Sequence, residues 1–579
     1  MNTRRKIQIL TVLVTLFSLL LGACAPAAAP TVQKVIETVV VEKPAEGVIA
    51  PQPTMVAQES AKDSGAPAAP AAPIAGQPPA ATEAPAAAAG QPPALMGLPT
   101  QAAWSTPAPT MAAPGIVATL PPVDNYFRDY GVNPFEDPRE DHLSTFALDV
   151  DTAAYTVARR YVMDGNLPPA ASVRVEEFVN YFDPGYTPPA DVAFALYADG
   201  ARSPFHHDGE YILRFGVQGY EVPDDQRKPA SLTFVIDVSG SMDMENRLGL
   251  VKQSLQLLVE RLRPTDSVAI VVYGSDARVV LNPTSGEDKQ RILDTIYSLH
   301  PEDATNAEAG LRLGYQMAYQ AFRPGATNRV ILCSDGVANV GATGPEAILE
   351  NIRGYADTGI TLTTVGFGMG NFNDVLMEQL ADNGDGSYAY VDDIDEARRL
   401  FVDELTSTLQ VIAKDAKVQV DFNPDVVARY RLIGYENRDV ADQDFRNDAV
   451  DAGEIGAGHS AVALYAVILN PGADGRIATV QLRWQDPDSL NVREINGNYN
   501  TWDLSPSFES ADPHYQLAVT VAQYAELLRL SPWAVGSSIG QVLQHAVRLA
   551  GQMPADEQVS EFVTLVSRAS QIRQLIEWK

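Results

Sequence analysis

The sequence predicts an α/β fold: a doubly wound, mostly parallel sheet inserted in a flanking β-rich domain, with a C-terminal helical region. Three observations carry this. Between Ser231 and Leu409, short runs rich in β-branched residues alternate with amphipathic stretches, the pattern of right-handed βαβ crossovers. Strand-like segments lie on both sides of that module, Ala193 to Tyr197 and Tyr211 to Gly219 before it, and Lys417 to Phe422, Ala461 to Leu469 and Ile477 to Trp484 after it. Beyond residue 506 apolar positions recur at helical spacing, in His514 to Leu530, Ser537 to Ala550 and Asp556 to Glu577.

Within the module the strands expected are Leu232 to Ile236, Val268 to Tyr273, Val330 to Leu332, Leu362 to Val365 and Tyr388 to Val391. The helices between them are Leu248 to Leu262, Ala307 to Phe322, Pro345 to Tyr355 and Asp374 to Leu380, closed by one from Ile394 to Leu409. The whole chain then divides into a leader (1–24), an Ala/Pro-rich tether (25–121), an N-terminal flank (122–228), the module (229–412), a β-rich flank (413–505) and the helical end (506–579).

The 579 residues carry 42 Lys+Arg against 73 Asp+Glu, a net charge of −31 that argues against nucleic acid as a partner. With only Cys24 and Cys333, the chain has neither a disulfide framework nor a cysteine zinc site. Arg4, Arg5 and Lys6 precede an apolar run that ends in Leu21-Gly-Ala-Cys24, which resembles a bacterial lipoprotein signal with its lipobox. The resemblance implies that Cys24 becomes a lipidated N-terminus and that the rest is extracytoplasmic, tethered to the cell membrane or outer membrane. An ordinary secretory signal is the alternative. Residues 25–121 are too rich in Ala and Pro to bury a core and read as a disordered tether; Val35-Ile-Glu-Thr-Val-Val-Val-Glu, its one patterned piece, reads as linker.

Chemistry-bearing residues sit where doubly wound sheets place ligands, beyond the carboxyl ends of strands. Asp237-Val-Ser239-Gly-Ser241 follows the first strand, Ala304-Thr305-Asn306 precedes a helix, and Cys333-Ser-Asp335-Gly follows a later strand. Oxygen donors with few carboxylates suit a hard divalent ion, Mg²⁺ above Mn²⁺ or Ca²⁺. A capping loop at the serines and a turn at Asp335 are the plainer alternative.

These three loops, in this order, resemble the von Willebrand factor type A (VWA) domain with its metal-ion-dependent adhesion site. The resemblance implies a metal set of Asp237, Ser239, Ser241, Thr305 and Asp335, with the serines and threonine as direct ligands and the aspartates acting largely through water. It implies a Mg²⁺-dependent partner, an extracytoplasmic protein presenting a carboxylate, and coupling to the last helix of the module. Glu302 and Asp303 depart from the family's small residues, and are candidates for an auxiliary ion or for a solvated loop face. The flanks resemble segments that accompany this module in bacterial envelope lipoproteins.

Other candidates read more simply. Asp149 and Asp151 are expected to cap the helix that follows, Asp382-Asn-Gly-Asp-Gly-Ser387 to form a turn rather than a calcium loop, and His459 to be a hydrogen-bonded turn residue rather than a metal ligand with Glu454. No enzyme is expected. Gly536-Ser-Ser538-Ile-Gly540 matches a hydrolase elbow literally but lies between helices, with His545 close behind, so a serine hydrolase is a remote alternative; a structural scaffold for an envelope complex is the nearer one.

Overall fold

The computed structural model describes residues 34–35, 41–43, 124–206, 209–302, 304–336, 345–356, 358–404 and 409–577. All lie in the unit Met1–Ala45 with Val117–Lys579. The leader with Cys24, most of the expected tether, and Asp303 fall outside the described residues.

In chain order the elements begin with β1 (Lys34–Val35), β2 (Val41–Lys43), β3 (Leu143–Ala147), α1 (Ala153–Met163), α2 (Val175–Asn180), β4 (Phe194–Arg202) and β5 (Glu210–Gly219). The module follows as β6 (Ala230–Asp237), α3 (Arg247–Arg261), β7 (Ser267–Tyr273), β8 (Ala277–Ser285), α4 (Lys289–Ser298), α5 (Ala307–Gln320) and β9 (Thr327–Ser334). It continues with α6 (Pro345–Ala356), β10 (Ile360–Phe367), α7 (Asp374–Asp382), β11 (Tyr388–Val391) and α8 (Ile394–Arg398). After it come β12 (Val411–Phe422), β13 (Val427–Ile433), β14 (Gly453–Gly456), β15 (Ser460–Leu469), β16 (Arg476–Gln485) and β17 (Val492–Asn500), then α9 (Pro513–Leu528), α10 (Ile539–Gln552) and α11 (Glu557–Glu577).

The module sheet runs β11-β10-β9-β6-β7-β8, with every neighbouring pair parallel except β7 and β8. All eight residues of β6 are buried, because successive side chains enter opposite cores. Leu232, Phe234 and Ile236 pack with Leu248, Val251 and Leu255 of α3, while Val235 packs with Leu311 and Tyr315 of α5. Strand order reverses where β6 lies between β7 and β9, so the chain ends of β6 and β9 open the crevice of a topological switch point.

Strands from both sides of the module share two further sheets. One runs β1-β4-β5-β15-β13, with Phe215 of β5 opposite Ala463 of β15. The other runs β14-β12-β16-β17-β2, with β3 added along β12 through Phe146 opposite Val418. Their facing sides make one core from Phe215, Val217, Val418, Phe422, Leu482 and Tyr499, among others. Helix α9 is buried along nearly its whole length, and Tyr515 donates to the carbonyl of Ile212 at 2.8 Å. No helix among the described residues is long and apolar enough to cross a membrane.

Three expectations are corrected. Lys34–Val35 and Val41–Lys43, read as linker, are edge strands that pair with β4 and β17. The helix expected over Ile394 to Leu409 is α-helical only to Arg398 and widens into a π turn over Arg399–Asp403. Arg399 reaches back to Glu396 at 2.6 Å and forward to Glu404 at 2.7 Å, which favours the wider turn. Residues 405–408 lie outside the described residues. Finally, β3, β8, α4, β13, β14 and β17 have no counterpart among the elements the sequence predicts.

Because β3 finds its partner in β12 and the β4-β5 pair is closed on its other side by β15, a fragment of residues 124–228 is expected to remain unfolded in isolation. Residues 229–412, with their own sheet and a core of their own on the α3 side, are expected to melt cooperatively. Circular dichroism melts of the two fragments check this; a cooperative transition in the first would contradict it.

Candidate metal centre

The site grows out of the end of β6. Val238 donates its N–H to the Tyr273 carbonyl at 2.9 Å, which keeps the chain along β7 for one more residue before it turns. Asp237 then organises the turn, accepting from the Ser239 N–H at 2.8 Å on one oxygen and from the Ser334 hydroxyl at 2.9 Å on the other. Both carboxylate oxygens are thus held by protein, and Asp237 is fully buried. The loop leaves the hydroxyls of Ser239 and Ser241 side by side, 3.0 Å apart.

Two other loops close on this one. Ser334, Asp335 and Gly336 end β9; Gly336 has φ +129°, and a Cβ there would lie 2.5 Å from the Asn371 carbonyl, so the close pass of the loop after β10 requires glycine. The loop ahead of α5 is tied to the first by Glu302, whose N–H donates to the Val238 carbonyl at 2.5 Å. Thr305, half-buried, sits on it one residue before Asn306, which caps α5 by accepting from Ala309 at 3.1 Å. Among the described residues no hydrogen bond joins Thr305 to the other four candidates. Asp335 is buried and pairs with Arg247 at 2.5 Å.

Burial pushes the Asp237 carboxyl up to about 6, with the neighbouring Asp335 charge adding to the effect. A buried carboxylate beside a second one and two hydroxyls is a donor set of oxygens alone, and this chemistry fits a hard divalent cation.

The protein described as uncharacterized protein YfbK of Escherichia coli (strain K12) is 34% identical over 470 residues, 76% of this chain and 80% of its own. The chain belongs to the YfbK family. The family model for the von Willebrand factor type A domain matches residues 231–403, and one described as von Willebrand factor matches 122–213. The model for the YfbK C-terminal region matches 407–475 and 470–572. Human inter-alpha-trypsin inhibitor heavy chain H3 is 29% identical over 237 residues, 40% of this chain and 24% of its own. A solved von Willebrand factor type A structure from Catenulispora acidiphila covers 66% of this chain and 90% of its own at 15% identity, with a TM-score of 0.38. By the family-model match over residues 231–403, this YfbK-family chain carries a VWA domain, a class that generally mediates protein–protein interactions and commonly binds a divalent metal.

Elsewhere in this YfbK-family chain, the remaining candidates have found other partners. Arg278 takes Glu302 at 2.5 and 3.2 Å and holds its carboxyl below the usual range, so Glu302 serves an ion pair rather than an auxiliary cation. Asp149 and Asp151 do not cap α1. Asp149 accepts from Arg438 at 3.2 Å and Asp151 from the Tyr388 N–H at 3.1 Å, while the free N–H of Ala154 goes to Glu177 at 2.7 Å. The Nδ1 of His459 has no hydrogen-bond partner among the described residues, and burial with nearby Arg399 and Arg329 lowers the ring to about 4, leaving it neutral. Ser538 caps α10 by accepting from Gln541 at 3.3 Å, and His545 packs its ring on Phe205 and Phe508, so the two form no hydrolase pair.

Two features escaped the sequence reading. Arg247 is one, and a meeting of Asp385, Asp451 and Glu454, with carboxylate oxygens within 4.8 Å of one another and Lys414 at 2.6 Å from Asp385, is the other. In both, the partners come from distant elements of the chain.

The join between flank and module also sets a pH dependence. Burial pushes Glu176 up to about 7 and Glu177 up to about 8, from an ordinary 4.5. The folded protein holds these protons where the unfolded chain releases them. Their contribution is therefore complete below about pH 4.5 and is lost as the pH rises through 7 to 8, on the order of a few kcal/mol for the pair. In metal-free buffer, Tm is expected to be several degrees higher at pH 5.5 than at pH 8.5. A flat or rising profile would contradict this.

Proposed function

We propose that this chain is a lipid-anchored envelope protein that binds an extracytoplasmic protein ligand through a divalent cation, with a ligand carboxylate completing the coordination. Asp237, Ser239, Ser241, Thr305 and Asp335 would hold the ion, Mg²⁺ above Mn²⁺ or Ca²⁺. The observation that carries this is the state of Asp237: both its oxygens are engaged inside the protein, while the hydroxyls of Ser239 and Ser241 are paired with each other at the end of β6. A cation held there supplies Lewis acidity toward an anionic ligand. The protein's own part is to fix the loop rigidly and contribute little direct negative charge, which leaves demand for an anion from outside.

The anchor rests on Leu21-Gly-Ala-Cys24 behind a basic start and an apolar run. A diacylated cysteine binds membranes stably, since each buried CH₂ contributes about 0.8 kcal/mol. The scaffold reading is favoured by a different observation: Arg159 joins the flank to Asp392 at 2.5 Å and Glu396 at 3.2 Å of the module and to Glu561 of α11 at 3.0 Å, tying three parts into one body. Metal dependence separates the two. Immobilised protein incubated with envelope extract is expected to retain a partner in Mg²⁺ and release it into chelator; retention unaffected by chelator favours the scaffold. Metabolic labelling with a fatty acid tests the anchor, and a chain that stays unlabelled unless Cys24 is intact supports it.

A further inference from the structure

Helix α3 opens with a buried arginine, continuing a 3₁₀ segment over Gly240–Asn246 into which the Arg247 N–H bonds back, to the carbonyls of Met242 and Met244. The side chain is held by other elements. One guanidinium nitrogen donates to Asp335 at 2.5 Å and another to the carbonyl of Met369, with the arginine 4% and the aspartate 5% exposed. Its stem lies in a slot made by Gly368, which has φ +85° and where a Cβ would stand 2.4 Å from Nε and 2.5 Å from Cδ. Loop ends of β9 and β10 are thus shaped around one cation, and that cation takes an oxygen of a residue in the candidate metal set. If the only role of Arg247 were to tie loops together, a neutral hydrogen-bonding side chain would serve without bringing positive charge to a cation site.

We propose that Arg247 is a positioning residue that occupies one oxygen of Asp335, keeps that carboxylate out of direct coordination, and offsets its charge, so that the bound ion is left short of anions and selects an anionic ligand. This rests on the metal-site reading given above. It concerns what makes the site selective, and it assigns a role to a residue outside the Asp-x-Ser-x-Ser, threonine and aspartate set.

Mn²⁺ alone is the probe. The full chain and its variants are titrated with Mn²⁺ while water-proton relaxation reports both affinity and the number of water ligands on the ion. Arg247→Gln is expected to bind Mn²⁺ about tenfold more tightly, because a like charge near the ion is gone, and to lose a water ligand as Asp335 moves in. Arg247→Lys, which keeps the charge, is expected to stay within about twofold of wild type with unchanged hydration. Gly368→Ala supplies an independent route, since its Cβ displaces the Arg247 stem without altering either charged group; it is expected to shift affinity and hydration as Arg247→Gln does. Far-UV circular dichroism identifies any variant that fails to fold, and the others then decide. If Arg247→Gln or Gly368→Ala is folded and matches wild type in both readouts, Arg247 is a structural tie and this inference falls while the metal site stands. If wild type itself binds no Mn²⁺, the inference and the metal-site reading fall together.

Discussion

Asp237→Ala is expected to abolish the stabilisation that Mg²⁺ gives the wild-type chain. An ion bound at one site and present at a hundred times its Kd stabilises the folded state by about 2.7 kcal/mol, a rise of several degrees in Tm. Asp237 is the residue on which the site is built: it fixes the Ser239 amide and the Ser334 hydroxyl, and so sets where the serine hydroxyls point. Its removal takes away a charge and that scaffold together, and Mg²⁺ affinity should drop by about two orders of magnitude or more. The sheet should survive, since β6 keeps its pairing to β7 and β9 from Ala230 to Ile236 and loses about 1–3 kcal/mol of buried hydrogen bonding. Asp237→Asn, equal in shape, separates charge from geometry. Thermal melts with and without Mg²⁺ read the outcome, and a variant whose Tm still climbs with Mg²⁺ would remove Asp237 from the site.

Arg174→Met is expected to cost about 3–5 kcal/mol of stability. Arg174 is buried between the flank and the module. It pairs with Glu177 on its own helix and with Asp374 of α7 at 2.6 Å, while Glu378 lies 3.9 Å away. Methionine fills much of the volume and leaves Glu177 without its donor and the Asp374 carboxylate without its cation, so Asp374 either stays ionised in an apolar place or takes up a proton. Arg139→Ala is the control: its pair with Asp137 is 71% and 34% exposed, and its loss should leave the unfolding midpoint nearly unchanged. Denaturant unfolding of both variants at pH 7 checks the contrast, and equal effects would contradict the weight given to the buried join.

The module's strands β6, β7, β9, β10 and β11 are legible in the sequence because a sheet covered on both faces demands near-continuous apolar runs, and Leu-Thr-Phe-Val-Ile or Val-Ala-Ile-Val-Val can hardly be read otherwise. Strand β8 lacks that signal. It is the antiparallel edge, with Arg278, Asn282 and Pro283 exposed, so its composition is that of a loop. The end of α8 was misread for a different reason: the periodicity continues past Arg398, but Arg399 is drawn to Glu396, Glu404 and Thr152, and Thr152 comes from an element nearly 250 residues earlier in the chain. In the site, Asp237, Ser239 and Ser241 are legible because alternate positions of one tight loop act together. Arg247 is not, because its partner Asp335 is 88 residues away and nothing near Arg247 marks it as buried. A charged residue opening the otherwise apolar face of α3 is the one local hint.

The central claim is that the loops at the ends of β6 and β9 hold one divalent cation. Calorimetric titration of the full chain with Mg²⁺, set beside the same titration of Asp237→Ala, tests it most directly. The structure predicts saturable binding of one Mg²⁺ per wild-type chain and none to the variant. No saturable heat with wild type, or the same isotherm with both proteins, would contradict it.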